Sequence, residues 1–380
     1  MMPSVFHQQL IQSSTRIAGT TKSYTHALDK NEHPDDIPVR FKEQLHEVLL
    51  KHSWNRYPAI HDRSIEEATA RYCGLQADEI TLGPGSAAIL TTLLNYFAVN
   101  QRELVIVQPS YSLFEFHCQT YNIPFTPWLL NDALDYDEEH LPVLSAHSVL
   151  IVASPNNPSG NSISPSLLKK LLEQNPRSLI IVDAVYAELG SYDFTSWVKE
   201  YSNLLVIRSF SKAFPAAGFR LGYCCGSPEL TSVIRKLMLP FSLNPFTLAF
   251  AQSILFTGDF QQYAKEQIQQ LKVEREMVFQ FIQDHFYPEH VMVYPSEGNF
   301  LLLRVMDDTC FLSLMNAFDR EGIKVLNTSS HPLLKNTFRI SVGTEEANDS
   351  VLSVLLEQLP VRKDKIPLCD IATSNTVAAA

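Results

Sequence analysis

Four short runs, "ELVIVQP" (103–109), "SVLIVASP" (148–155), "SLIIVDAV" (178–185) and "NLLVIRS" (203–209), constrain this chain more than any other feature. Each is rich in Val, Ile and Leu, too short for a helix, and lacks the apolar–polar alternation of a strand with one wet face. Each therefore reads as a strand covered on both faces. Helical patterns come before and between them. "FKEQLHEVLLKHS" (41–53) carries Phe41, Leu45, Val48 and Leu49 at helical spacing. Ser64 and Glu67 have the spacing of a capping box for a helix that stops near Gly74, and "GPG" opens the helix "GSAAILTTLLNYFA". Ser164 and Pro165 supply the cap and first-turn proline of "SLLKKLLEQ". Such alternation from about residue 40 to 240 specifies an α/β fold with a mainly parallel sheet between layers of helices.

Residues 259–285 form one long helical pattern, with Tyr263, Ile268, Leu271, Val278 and Ile282 on roughly one side. Beyond it the runs "VMVYP", "NFLLLRV", "IKVLN" and "FRISVG" and two helical stretches describe a smaller α+β domain. The expected organisation is an N-terminal arm belonging partly to the small domain (1–40), a large domain (41–258), an interdomain helix with the small domain (259–360), and a loose tail (361–380). A length of 380 residues suits two domains.

The charge balance, 30 Lys plus Arg against 41 Asp plus Glu, gives a net charge of -11 and argues against nucleic acid or an anionic membrane as partner. No apolar run reaches the length of a transmembrane helix, and the N-terminus lacks an apolar signal core. Cys73, Cys118, Cys224, Cys225, Cys310 and Cys369 show no CxxC spacing, and the 12 histidines form no HExxH motif. A reducing cytoplasm and a site without metal are expected. Cys224 and Cys225, adjacent on one strand, should point to opposite faces.

Ligands of open parallel sheets bind at the carboxyl ends of the strands. There this sequence places Tyr111, Asn157, Asp183 and Tyr186, and then Ser209, Ser211, Lys212 and Arg220 within "RSFSKAFPAAGFRLGY". "GPGS" (83–86) adds a glycine-rich helix entry whose free N–H groups attract phosphate. Singly, each has an ordinary reading as a turn, a loop acid or a surface lysine. Jointly they match the needs of pyridoxal 5'-phosphate, which requires a lysine for its Schiff base, an acid beside its pyridine nitrogen and a phosphate cup.

The order "GPGSA", "PSY", "NNPSG", "DAVY", "SFSKAF", "FRLGY" and "FRISVGT" resembles the fold-type I, class I/II aminotransferases over nearly the whole chain. "KNEHP" (30–34) and "WNRYP" (54–58) look like the histidinol-phosphate aminotransferase branch. The resemblance implies the three-layer pyridoxal-phosphate transferase fold. In it Lys212 carries the cofactor and shuttles the proton, Asp183 keeps the ring nitrogen protonated, and Asn157 and Tyr186 bind the ring 3'-oxygen while Tyr111 stacks on the ring. The phosphate falls to the backbone of Gly85, Ser86 and Ala87, the hydroxyls of Ser209 and Ser211, the guanidinium of Arg220, and Tyr57 from the other subunit of a homodimer. Arg339 is expected to grip a substrate carboxylate, with Tyr24 and Lys324 as further substrate contacts and Asn299 as structural support.

Two departures stand out. Ala87 and Ala88 replace an acidic pair, and Leu326 stands where the family pattern has a second phosphate-binding arginine. Lys324, two residues earlier on the same strand face, could substitute as a point charge. The implied activity is ping-pong transamination between an amino donor, with histidinol phosphate first and aromatic or other amino acids next, and a 2-oxo acid such as 2-oxoglutarate. A decarboxylase resembling threonine-phosphate decarboxylase shares most of these motifs. A non-catalytic sensor of the same fold fits less well, because no basic module precedes residue 40.

Overall fold

The structure, a computed structural model, describes residues 22–362. Cys369 and residues 363–380 of the expected tail lie outside the described residues, as do residues 1–21 of the arm. In chain order the large part comprises α1 (Val39–Lys51), α2 (Arg63–Cys73), β2 (Ile80–Gly83), α3 (Ser86–Val99), β3 (Leu104–Gln108), α4 (Ser112–Thr120) and β4 (Thr126–Leu129). It continues through β5 (Val149–Ala153), α5 (Pro165–Gln174), β6 (Leu179–Asp183), β7 (Leu204–Ser209), β8 (Gly222–Cys225), α6 (Pro228–Leu237) and α7 (Pro245–Phe250). The short strand β1 (His26–Ala27) precedes them.

The seven strands run in the order β2-β8-β7-β6-β5-β3-β4. The pairs from β4 to β7 are parallel, and β8 is antiparallel to both of its neighbours. The mainly parallel α/β sheet expected from the sequence is therefore present, with one reversed strand. Alternate residues feed separate cores. Ile106, Ile151, Ile181, Leu205 and Cys224 pack with Ile89, Leu90 and Leu94 of α3, whereas Val105, Leu150, Val182, Val206 and Cys225 belong to the layer on the other face. Burial of both faces explains why these strands are continuous apolar runs.

The helix α8 (Gly258–His285) joins two cores. Its Phe260, Ala264 and Leu271 enter the large core, and Val278, Phe279 and Ile282 enter the small one. The small part follows with β9 (Val291–Tyr294), β10 (Phe300–Val305), α9 (Asp308–Arg320), β11 (Ile323–Lys324), β12 (Leu326–Asn327), β13 (Thr337–Ser341) and α10 (Glu345–Gln358). An antiparallel sheet, β12-β13-β10-β9, forms its floor, and β1 pairs in parallel with β11. Val361 still bridges to Phe286, so the chain remains attached at that point.

Two local expectations are corrected. The helix α2 is capped by Asp62, whose carboxylate accepts from the Ile65 N–H at 3.2 Å, while Ser64 donates to Asp62 at 2.6 Å and Glu67 pairs with Arg63 at 3.4 Å. An aspartate two residues upstream offers the free N–H groups a charged acceptor, and the added turn includes the buried Ile65. Lys324 and Leu326 do not share a strand face: the chain changes sheets at Val325, β11 pairing with β1 and β12 with β13.

Candidate active site

The carboxyl ends of the parallel strands gather the chemistry-bearing side chains. Asp183 ends β6, is 3% exposed, and its Oδ1 has no hydrogen-bond partner. Burial pushes its carboxyl up to about 7, against the opposing influence of the Val185 N–H and the Lys212 charge. Lys212 follows β7, and its Nζ donates to the carbonyls of Lys30 at 2.8 Å and Asn31 at 3.4 Å. Burial, with Arg339 next in size, pulls this amine down to about 8, while Glu32 and Asp183 oppose the shift. The buried Tyr186 hydroxyl accepts from Asn31 Nδ2 at 2.9 Å, and its ring meets Phe300 edge-on at 5.3 Å.

On the small-domain side, Arg339 of β13 donates to Asn157 Oδ1 and, through Nη2, to the Asp29 carbonyl at 2.6 Å, leaving its Nε unpaired. Its guanidinium carbon lies 5.3 Å from the Phe300 ring centre. Lys324 pairs with the Asp29 carboxylate at 3.0 Å, and its Nζ is 5.6 Å from the Tyr24 ring, whose hydroxyl donates to Asp319 at 3.0 Å. Tyr24 and Lys324 thus form a group linked to Arg339 through Asp29. Leu326 is the register partner of Arg339 on the neighbouring strand.

A cup forms where β2, β7 and β8 meet α3. Gly85, at φ 87, precedes Ser86 and Ala87 at the N-terminus of α3, and a Cβ on it would lie 2.5 Å from Arg220 Nη2. Gly222, paired with Gly83 and Ser209, lets β8 approach so closely that a Cβ there would lie 2.4 Å from the Ser86 nitrogen. The Arg220 backbone takes the left-handed conformation at φ 56, and its Nη1 donates to the Ala217 carbonyl at 3.1 Å. Ser209 Oγ accepts from the Ser211 N–H at 3.2 Å, and Ser211 Oγ is buried without a partner. The Gly85 N–H is taken by the Gly83 carbonyl at 2.7 Å, but the following N–H groups at the start of α3, with two serine hydroxyls and a guanidinium close by, are suited to a phosphate.

Tyr111 stands at the position just before α4 and contacts Phe114 edge-on at 5.7 Å. Tyr57 has different surroundings: it is 82% exposed and packs on Phe241 at 4.9 Å. Asn299 supports the lysine, its Nδ2 donating to the carbonyls of Asn31 at 3.0 Å and Lys212 at 3.3 Å. Asn31 and Asp29 received no role from the sequence, although Asn31 lies within the "KNEHP" motif. The unpaired Asp183 oxygen, the unpaired Ser211 hydroxyl and the glycine cup fit a flat cationic ring that carries a phosphate.

The aminotransferase class I and II family model matches residues 26–355. The chain belongs to this family. Among curated relatives of this aminotransferase, the histidinol-phosphate aminotransferase of Pyrococcus furiosus is 31% identical over 337 residues, covering 87% of this chain and 92% of its own length. The fold is shared with histidinol-phosphate aminotransferase from Sinorhizobium meliloti, solved in complex with pyridoxal-5'-phosphate, at TM-score 0.78 and 19% identity over 94% of this chain and 98% of that one. L-threonine-O-3-phosphate decarboxylase from Porphyromonas gingivalis aligns at TM-score 0.74 and 18% identity over 87% of this chain and 98% of its own. The protein is a pyridoxal-phosphate-dependent aminotransferase. Among the described residues, no helix of this aminotransferase is long and apolar enough to cross a membrane.

Proposed function

We propose that this aminotransferase works as a cytoplasmic homodimer, moving an amino group from histidinol phosphate to a 2-oxo acid such as 2-oxoglutarate. The carrying observation is that a buried carboxyl with one unpaired oxygen, Asp183, and a lysine whose amine burial pulls down to about 8, Lys212, stand at the ends of neighbouring strands beside the glycine-rich start of α3. Pyridoxal phosphate supplies, when bound, an electron-poor ring that accepts the electron pair of a breaking Cα–H bond. In this reading Lys212 holds the cofactor aldehyde and carries the Cα proton, a role that needs the neutral amine favoured by burial. Asp183 holds a proton on the ring nitrogen. Gly85, Ser86, Ala87, Ser209, Ser211 and Arg220 hold the phosphate; Asn157 and Tyr186 orient the ring through its 3'-oxygen, and Tyr111 packs on its face.

Arg339 binds the anionic group of donor and acceptor in turn, with Tyr24 and Lys324 at the rim. The curated relative's name makes histidinol phosphate the first donor to try. Mixing the cofactor-loaded protein with histidinol phosphate, histidine, phenylalanine, glutamate or phosphothreonine one at a time, and following loss of the visible cofactor band, tests the reading. Conversion by histidinol phosphate is expected. A response to phosphothreonine alone, with carbon dioxide released and no 2-oxo acid required, would instead favour the decarboxylase reading suggested by the shared fold.

A further inference from the structure

Asn31 is the point at which the N-terminal arm, the small domain and the lysine meet. It is 0% exposed and sits in left-handed backbone at φ 54, a region sparsely populated by residues other than glycine. Its backbone N–H donates to Ser341 Oγ at 2.8 Å, and its carbonyl accepts from Asn299 Nδ2 at 3.0 Å and Lys212 Nζ at 3.4 Å. The side chain donates to Tyr186 Oη at 2.9 Å and accepts from Ser341 Oγ at 3.0 Å. Ser341 lies on the same strand as Arg339, two residues on.

A buried phenol has one proton and a limited set of lone pairs. With the amide N–H of Asn31 on its oxygen, the Tyr186 proton is left to point away from Asn31. A glycine would supply the backbone conformation and the main-chain carbonyl that faces the amine, but not the side-chain N–H that meets the phenol oxygen. We propose that Asn31 is a positioning residue of the transamination site, committing the Tyr186 hydroxyl as donor to the cofactor 3'-oxygen and holding the Lys212 amine alongside. The proposal rests on the reading of Tyr186 given above.

Besides Asn31, the charged and titratable groups facing Lys212 are Arg339, Glu32, Arg220 and Asp183, and those facing Tyr186 are Arg339, Tyr111 and Asp183. Donation to the 3'-oxygen favours its anionic form, so weakening that donor raises the pH at which the cofactor's visible band titrates. The experiment is a spectroscopic pH titration of cofactor-loaded wild type, Tyr186→Phe, Asn31→Gly and the double variant, with thermal melts alongside. Glycine keeps the left-handed backbone while deleting the amide. The expected result is an upward midpoint shift in Tyr186→Phe, a shift of roughly threefold or more in proton affinity in Asn31→Gly, and no further shift in the double variant. A folded Asn31→Gly protein with the wild-type midpoint, or shifts that simply add, would overturn the role of Asn31. No shift in Tyr186→Phe would overturn the placement of Tyr186 and this proposal with it. If Asn31→Gly does not fold, Asn31→Asp decides: its carboxylate accepts the Tyr186 proton, so its midpoint must rise, and an unchanged or lowered midpoint overturns the proposal.

Discussion

Asp183 and Lys212 are both pushed toward their neutral forms by burial, the carboxyl from 3.8 up to about 7 and the amine from 10.5 down to about 8. Between pH 3.8 and about 7 the folded, cofactor-free protein holds the Asp183 proton more tightly than the unfolded chain, so the Asp183 contribution to stability falls as pH rises. Between about 8 and 10.5 the unfolded chain holds the Lys212 proton more tightly, so that contribution to stability rises with pH. Urea unfolding of the cofactor-free protein across this range should show both limbs, and Asp183→Asn should abolish the falling one. A falling limb that persists unchanged in Asp183→Asn would rule out this carboxyl as its source. In the loaded enzyme a unit charge pair at about 4 Å is worth roughly 4 kcal/mol at an effective dielectric of 20. Asp183→Asn is therefore expected to keep the cofactor on Lys212 yet slow the half-reaction about a hundredfold or more, read by stopped-flow absorbance. The residues at strand ends were legible because each apolar run marks its own end. Asn31 was not, because its place depends on contacts with Tyr186 and Ser341, the latter 310 residues away in sequence.

Gly222 sets how closely β8 approaches the start of α3. A Cβ at this position would meet backbone, the Ser86 nitrogen at 2.4 Å and the Gly85 carbonyl carbon at 2.6 Å, and neither can swing aside as a side chain would. Gly222→Ala should widen the cup and weaken cofactor binding about tenfold, while the sheet core on either side stays folded. Fluorescence titration with pyridoxal phosphate measures this, and an unchanged affinity would mean that the cup is not formed by this contact. The reversal of β8 and the sheet change at Val325 were beyond the sequence, since apolar pattern reports burial but neither strand direction nor pairing partner. That sheet change has a functional consequence. Leu326, opposite Arg339 in register, shares its face, whereas Lys324 is occupied by Asp29 at 3.0 Å. Leu326→Arg should therefore add a second cation beside Arg339 and lower KM for a phosphorylated donor about tenfold at similar kcat. Steady-state kinetics with histidinol phosphate and with phenylalanine would expose a generic effect, because the gain should be confined to the phosphorylated donor.

At the scale of the whole molecule, α8 ties two cores together, and Tyr57 belongs to neither, packing instead on Phe241. Its ring is 82% exposed beside Phe241, and Trp54 and Leu239 are 73% and 76% exposed. Large apolar side chains presented to water in neighbouring stretches of chain favour burial against another surface. In the proposed homodimer that surface is a second copy, and Tyr57 reaches the phosphate of the partner's cofactor. The arrangement makes a site from two chains, which can be separated genetically. Lys212→Ala and Tyr57→Ala proteins should each be strongly impaired alone. After unfolding and refolding an equal mixture, random pairing makes about half of the dimers mixed, and each mixed dimer has one site with an intact lysine and an intact tyrosine. Activity should then return to about a quarter of the wild-type level. Recovery no greater than the mean of the two parents, from a mixture shown by sedimentation to be dimeric, would place Tyr57 in its own subunit's structure and remove the reason for sharing sites.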